Sequence, residues 1–435
     1  MICNYNFNRS KSLRYLAYVS RVLPSRLDFA GLRNHYREDL LAGIAVGVVA
    51  LPLALGFGIA SGTGATSGII TAIVAGFIAA LFGGSRFQVS GPTGAMTVVL
   101  IPIVERYGVS IVAVVGLLAG AISILAGLLR LGQIFARVPW SVLEGFTAGI
   151  GIVIALQQIP LALDIAKPEG GNALLVGWKS LQVLAQGEVH SDAIVLTLMA
   201  IAIMVLSPKV LKKIPASIVT VVLCTPIAHL FGFDVQVIGE LPRSLPRPSL
   251  PEFPSDSWWP IVSSAVAVFA LGAIESILSG KVAEGLAHSQ KKLHEASDFD
   301  SNRELFGQGL ATVASATMGG IPATGAIART AVNVRSGAKT RLASMVHALF
   351  LLLCIAILAP IVGKIPVSAL AGILIVTALR MVKPRTLHEA FVTTRSTAIT
   401  MVITALSTVA LDLIRAVVIG IIVHLALTKI PQLNR

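Results

Sequence analysis

The sequence predicts an all-α membrane protein of about fourteen transmembrane segments in two inverted repeats of seven, and three observations lead there. The 435 residues are 55% hydrophobic and only 13% charged, with a mean hydropathy of +0.84. Apolar runs able to cross a hydrocarbon core recur along the whole chain. A short phrase occurs twice, as GPTGAM from Gly91 and IPATGAI from Ile321.

Such a composition argues against a water-soluble enzyme. A crossing of about 30 Å needs roughly 20 apolar residues as helix. Runs at 40–60, 69–82, 111–129, 148–163, 193–206, 218–230, 261–278, 345–362, 399–411 and 416–427 supply most of the crossings. Stretches broken by Gly and Pro bring the expected number to about fourteen, some of them not spanning fully. Residues 1–38 carry seven Lys or Arg and no apolar stretch with a cleavage site, which reads as a basic cytoplasmic segment. With both termini cytoplasmic in a cell (inner) membrane, most of the 34 basic residues fall on the inner side. Orientation therefore accounts for the net charge of +13, and no nucleic-acid partner is needed. The three cysteines and eight histidines form no ligand pattern, so neither a disulfide framework, a metal nor a cofactor is indicated. Gly280 and Lys281 lack the earlier glycine of a phosphate loop, which argues against ATP-driven transport.

The two halves repeat. Thr93, Gly94 and Ala95 match Thr324, Gly325 and Ala326 at an offset of 231, and VPWSVLEG from Val138 matches IPVSALAG from Ile365 at 227. About seven crossings per half is an odd number, so the second copy is upside down, the plan of secondary transporters. The expected boundaries are residues 39–235 for the first repeat, a Pro-rich extracellular linker at 236–258 closed by Trp258 and Trp259, and 259–430 for the second repeat.

The repeated phrase predicts two helix beginnings inside the membrane, where the first backbone N–H groups have no partner unless protein, water or a ligand supplies one. Pro92 and Pro322 suit the first helical turn, and Gly91, Gly94, Gly320 and Gly325 admit a close ligand. Two positive dipole ends facing one another make an anion site, with the hydroxyls of Ser90, Thr93 and Thr324 nearby. Arg329, five residues after Thr324, adds positive charge behind it; the alternative is a side chain that snorkels to the cytoplasmic face. Glu275 is the sole acid of its apolar run, with Ser279 one turn later on the same face. A carboxylate that deep calls for a proton or a cation, which suits a proton carrier or part of a sodium site. A structural acid bonded to backbone or paired with Arg329 is the other reading. Phe57 serves equally as an apolar wall of the site or as ordinary packing. Glu105 and Glu144 fall near helix ends and are expected beside water.

The phrases ALPLALGFGIASG, FGGSRFQVSGPTGAMTVVL, LGAIESILS, NRELFGQGLA and GGIPATGAIARTAVNVRSGAKT together resemble the sulfate permease (SulP) family of inorganic anion transporters, from about residue 39 to 427. The resemblance implies a core domain (segments 1–4 and 8–11), a gate domain (segments 5–7 and 12–14) and a substrate held between half-helices of segments 3 and 10. Carried over by motif, Thr93 and the backbone at Gly325 and Ala326 contact the anion, with Phe57 lining the pocket. Sodium-dependent bicarbonate members have an aspartate, a threonine and a second threonine where this chain has Glu275, Ser279 and Ile327, so the glutamate is more like proton-coupled members. Most members continue into a cytoplasmic STAS domain; this chain stops at Arg435, eight residues past its last apolar run, so no such domain is expected.

The resulting expectation is no enzyme but a secondary active transporter. It moves a small inorganic oxyanion by elevator-type displacement: sulfate with proton symport first, then sodium- or proton-coupled bicarbonate, or a dicarboxylate. An uncoupled anion channel and a voltage-responsive protein without net transport are the rival classes. Its partners are the anion, a coupling proton or sodium ion and the lipid bilayer, with a homodimer left open.

Overall fold

The computed structural model describes residues 22–29, 31–168, 172–187, 191–211, 214–255, 258–289, 299–382, 394–411 and 413–429. Apolar runs without a polar face leave the backbone no solvent to bond, so the chain satisfies itself internally as helix. After a 3-10 turn (Arg26–Phe29), the first half forms α1 (Leu32–Ala60), α2 (Ala65–Phe82), β1 (Ser90–Gly91), α3 (Gly94–Tyr107), α4 (Ile111–Leu128), α5 (Gly132–Phe135), α6 (Trp140–Gln157), α7 (Ile159–Leu163), α8 (Ala173–Gln186), α9 (Ser191–Val210) and α10 (Ala216–Leu230). The second half forms α11 (Trp258–Ser289), α12 (Ser301–Thr317), β2 (Thr324–Gly325), α13 (Ile327–Arg335), α14 (Leu342–Val362), α15 (Val367–Leu379), α16 (Arg395–Ala410) and α17 (Leu413–Leu427). Among the described residues, seven helices are long and apolar enough to cross a membrane: α1, α2, α4, α6 with α7, α9, α11 and α14. Four shorter apolar helices accompany them.

The halves are arranged reciprocally. α2 packs on α12; α4 packs on α11 and α12, while α14 packs on α1 and α2. The only two strands among the described residues pair antiparallel, Ser90 with Gly325 and Gly91 with Thr324. An antiparallel pair has a local two-fold axis, so each half brings the same segment to the same point from the opposite direction. Close approach at the helix crossings depends on glycine. A Cβ on Gly120 would lie 2.8 Å from the Gly309 carbonyl oxygen, so α4 and α12 meet backbone to backbone. A second helix group, in which α6 packs on α15 and α16, and α9 on α10 and α15, touches the first mainly through α1, α3 and α11.

The linker is extended and tied down. Gln236, Ile238 and Gly239 exchange backbone hydrogen bonds with residues 363–367, and the Ser249 amide donates to the Thr317 carbonyl. The first membrane helix begins at Leu32, inside the stretch expected as a basic leader; residues 1–21 lie outside the described residues. Just ahead of it, Asp28 accepts from Arg303 at 2.7 Å and from Arg341 at 3.2 Å. Arg341 also donates to the carbonyls of Ala80 and Gly83, so this cluster joins the turn to the ends of α2, α12 and α14. Burial would raise the Asp28 carboxyl, but its bonds to Arg303 and the Ser25 amide and the Arg341 charge prevail and hold it down at about 2. Glu105 is exposed and pairs with Lys167 at 2.6 Å, as its place near a helix end suggests. Glu144 differs from expectation: it is buried, because α16 and α17 pack over the start of α6.

Candidate functional site

The strand pair sits where each half turns from extended chain into helix. Thr93 is the N-cap of α3, in extended geometry, and its hydroxyl accepts from the Met96 amide at 3.4 Å. Ala326 caps α13 without a side-chain bond, and its amide donates to the Val89 carbonyl at 2.9 Å. Both prolines therefore precede their helices instead of opening them: Pro92 stands one residue before the cap and Pro322 before β2. The strand pairing holds residues 90–91 and 324–325 extended, which delays each helix past its proline.

Thr93 and Thr324, which match at the sequence offset of 231, meet at this crossing with their hydroxyl oxygens 3.0 Å apart. Glu275 reaches the same point from α11: its Oε2 accepts from Thr93 at 2.8 Å and from Thr324 at 2.7 Å. The glutamate is partly exposed, whereas both threonines are buried. No ion pair joins Glu275 to Arg329 among the described residues.

Arg329 is 2% exposed, so its head does not snorkel to a surface. Its Nη2 donates to the Pro92 carbonyl at 2.5 Å, and its Nη1 is buried without a partner. Gly91 lies beneath it with φ 153, and a Cβ there would stand 2.7 Å from Nη1. Glycine is needed at that position for both the backbone angle and the room. Phe57 is buried beside Gly94: a Cβ on Gly94 would lie 3.2 Å from its ring and 2.1 Å from Ile154 Cδ1. Ser279 does not join Glu275. Its hydroxyl meets that of Thr330 at 3.2 Å, and Thr330 in turn accepts from the Val89 amide. The Gly325 amide donates to Ser276 Oγ at 3.0 Å.

Four residues around the crossing escaped the sequence reading: Ser276, Gln88, Gln308 and Glu304. Glu304 is 1% exposed and accepts from Gln88 at 2.7 Å, Gln308 at 2.8 Å and the Gly84 amide at 2.8 Å. Gln308 also donates to Ser90 Oγ at 2.5 Å, and Gln88 fills the space over Gly325. A buried acid holding two amides thus frames both strands. Its sequence signal was Glu304 and Gln308 one turn apart on a helix otherwise rich in small residues. No group of three or more His, Cys, Asp or Glu able to hold a metal occurs among the described residues.

The arrangement can do one thing with hydrogen-bond chemistry. Each threonine hydroxyl has a single hydrogen to donate. With Glu275 ionised, both hydrogens point at its Oε2; with Glu275 protonated, the carboxyl becomes a donor and a threonine hydrogen is released.

The sulfate permease family profile matches residues 36–404. The YvdB protein of Bacillus subtilis, which carries a provisional assignment as a sulfate transporter, is 36% identical over 393 residues, covering 89% of this chain and 72% of that protein. The bicarbonate transporter BicA of Picosynechococcus sp. is 34% identical over 410 residues, covering 91% and 70%. The solved transmembrane domain of a cyanobacterial BicA superposes with a TM-score of 0.78 at 33% identity, over 91% of this chain and 98% of that one. On this profile match and these identities, the chain belongs to the sulfate permease family of multi-pass anion transporters.

Proposed function

We propose that the protein is a secondary active transporter that carries sulfate into the cell with protons. The observation that carries this reading is the Glu275 carboxylate held between Thr93 and Thr324 at the crossing of the two repeats. An ionised Glu275 repels an anion and occupies both threonine hydrogens. A protonated one does neither, so proton and anion bind together. The anion then accepts from the threonine hydroxyls and from the first amides of α3, where the helix dipole adds partial positive charge. Arg329, buried behind Gly91, deepens the positive potential. Ser90, Gly91, Gly94, Gly325 and Ala326 form the backbone around it, and Phe57 its apolar wall. Ser279 serves at one remove, steadying β1 through Thr330.

In this reading the chain forms fourteen segments in two inverted repeats, with α3 and α13 as half-helices and both termini in the cytoplasm of a cell with this protein in its inner membrane. The first helix group, carrying the site, moves as an elevator against the second. Bicarbonate is the second reading, favoured by the likeness to BicA. The test is uptake of radiolabelled sulfate into proteoliposomes under an inward proton gradient without sodium, with bicarbonate as competitor. Accumulation that collapses with a protonophore supports the reading. Bicarbonate accumulation with no sulfate uptake transfers it to the second anion, and uptake driven only by sodium refutes proton coupling.

A further inference from the structure

Gln158 follows the last residue of α6, and its side chain is 1% exposed with neither Nε2 nor Oε1 bonded. Its main chain is ordinary: the amide donates to Ile154 and the carbonyl accepts from Ala162 at 2.9 Å. The residue is packed among Gly56 and Ile59 of α1, Leu161 of α7, and residues of α15 that include Leu370 and Leu374, with no room for a water molecule between them. A primary amide closed in among aliphatic groups with no partner is unfavourable in this state of the protein. This closed seam lies on the boundary between the two helix groups. Ile154, one turn before Gln158 and so about 6 Å along the axis, is the side chain that closes against Gly94, and Gly56 adjoins Phe57. A free donor and a free acceptor therefore stand one helical turn beyond the predicted anion site, in a seam that the proposed motion would open.

We infer that Gln158 is a second oxyanion station, which holds the anion or its hydration water in the passage once α1 parts from α6. This rests on the transport reading above. The amide offers two N–H donors to any oxyanion and one carbonyl to an oxyanion that carries a hydroxyl, as bicarbonate does.

The experiment uses the full chain with Gln158→Leu and Gln158→Glu. Three quantities are read: sulfate and bicarbonate affinity in detergent, exchange rate in proteoliposomes, and melting temperature. Gln158→Leu should melt higher, because an unpartnered buried amide is gone, and keep central affinity within twofold while exchange slows at least tenfold. Gln158→Glu should slow exchange further by repelling the anion. Wild-type exchange in Gln158→Leu would overturn the station while leaving the transport reading intact. A lower melting temperature with reduced affinity would instead make Gln158 a structural residue and likewise overturn it. No movement of either anion by the wild-type protein would take down both.

Discussion

Replacing Glu275 with Gln tests the linkage between proton and anion. An anion bonded to the hydroxyls of Thr93 and Thr324, which lie 2.8 and 2.7 Å from Glu275 Oε2, is held about 5 Å from that oxygen. At an effective dielectric of about 20 the repulsion is about 3 kcal/mol per unit of anion charge, and about 7 kcal/mol for sulfate. Seven kcal/mol corresponds to about five decades in affinity. Protonation avoids that repulsion, so wild-type sulfate affinity should fall about tenfold per pH unit wherever binding must take up one proton. Glutamine is uncharged and its amide donates to a threonine as the protonated carboxyl would. Glu275→Gln should bind with a pH-independent affinity near the wild-type value at low pH, lose proton-driven accumulation and retain sulfate exchange. Isothermal titration across pH, with counterflow in proteoliposomes, reads all three. The reasoning is refuted if the wild type shows no pH slope, or if the variant keeps it.

Arg329→Ala should weaken sulfate binding at least fivefold, about 1 kcal/mol, and Arg329→Lys should recover part of it; unchanged affinity in Arg329→Ala would remove the arginine from the site. Gly325→Ala places a Cβ 1.7 Å from Gln88 Nε2, so it should displace Gln88 from Glu304 and cost about 1–3 kcal/mol, read as a lower melting temperature together with lost binding. Asp28 is held at about 2 against an ordinary 3.8, a depressed value, so its contribution is present above pH 3.8 and lost as pH falls through about 2. Asp28→Asn should therefore reduce stability by about 2 kcal/mol at neutral pH, with the gap from wild type closing between about pH 4 and pH 2 in denaturant titrations of the detergent-solubilised protein.

Much of this is legible in the sequence because it is local. Hydropathy marks the spans, an offset of 231 marks the two matching segments, and Pro-x-Thr-Gly or Pro-Thr-Gly marks the approach to a helix. Thr93, Thr324, Glu275 and Arg329 were each named from their own neighbourhoods: a capping residue, its repeat, and two charges in apolar surroundings. What a side chain meets is not local. Glu275 finds Thr93 across 182 positions, and Glu304 finds Gln88 across 216. Ser279 shares the helical face of Glu275, yet the packing of α13 against α11 gives its hydroxyl to Thr330. The prolines begin no helix because the strands beside them, one from each half of the chain, pair with one another. The sequence by itself determined the membrane class and the recurrence of the Thr-Gly-Ala segment, since composition and short-range pattern set these, whereas the amides it leaves without a local partner are bonded in the fold, Gly325 to Ser276 and Ala326 to Val89. Tertiary structure alone decided which hydroxyl meets which carboxylate, because that depends on how distant helices rotate and pack together.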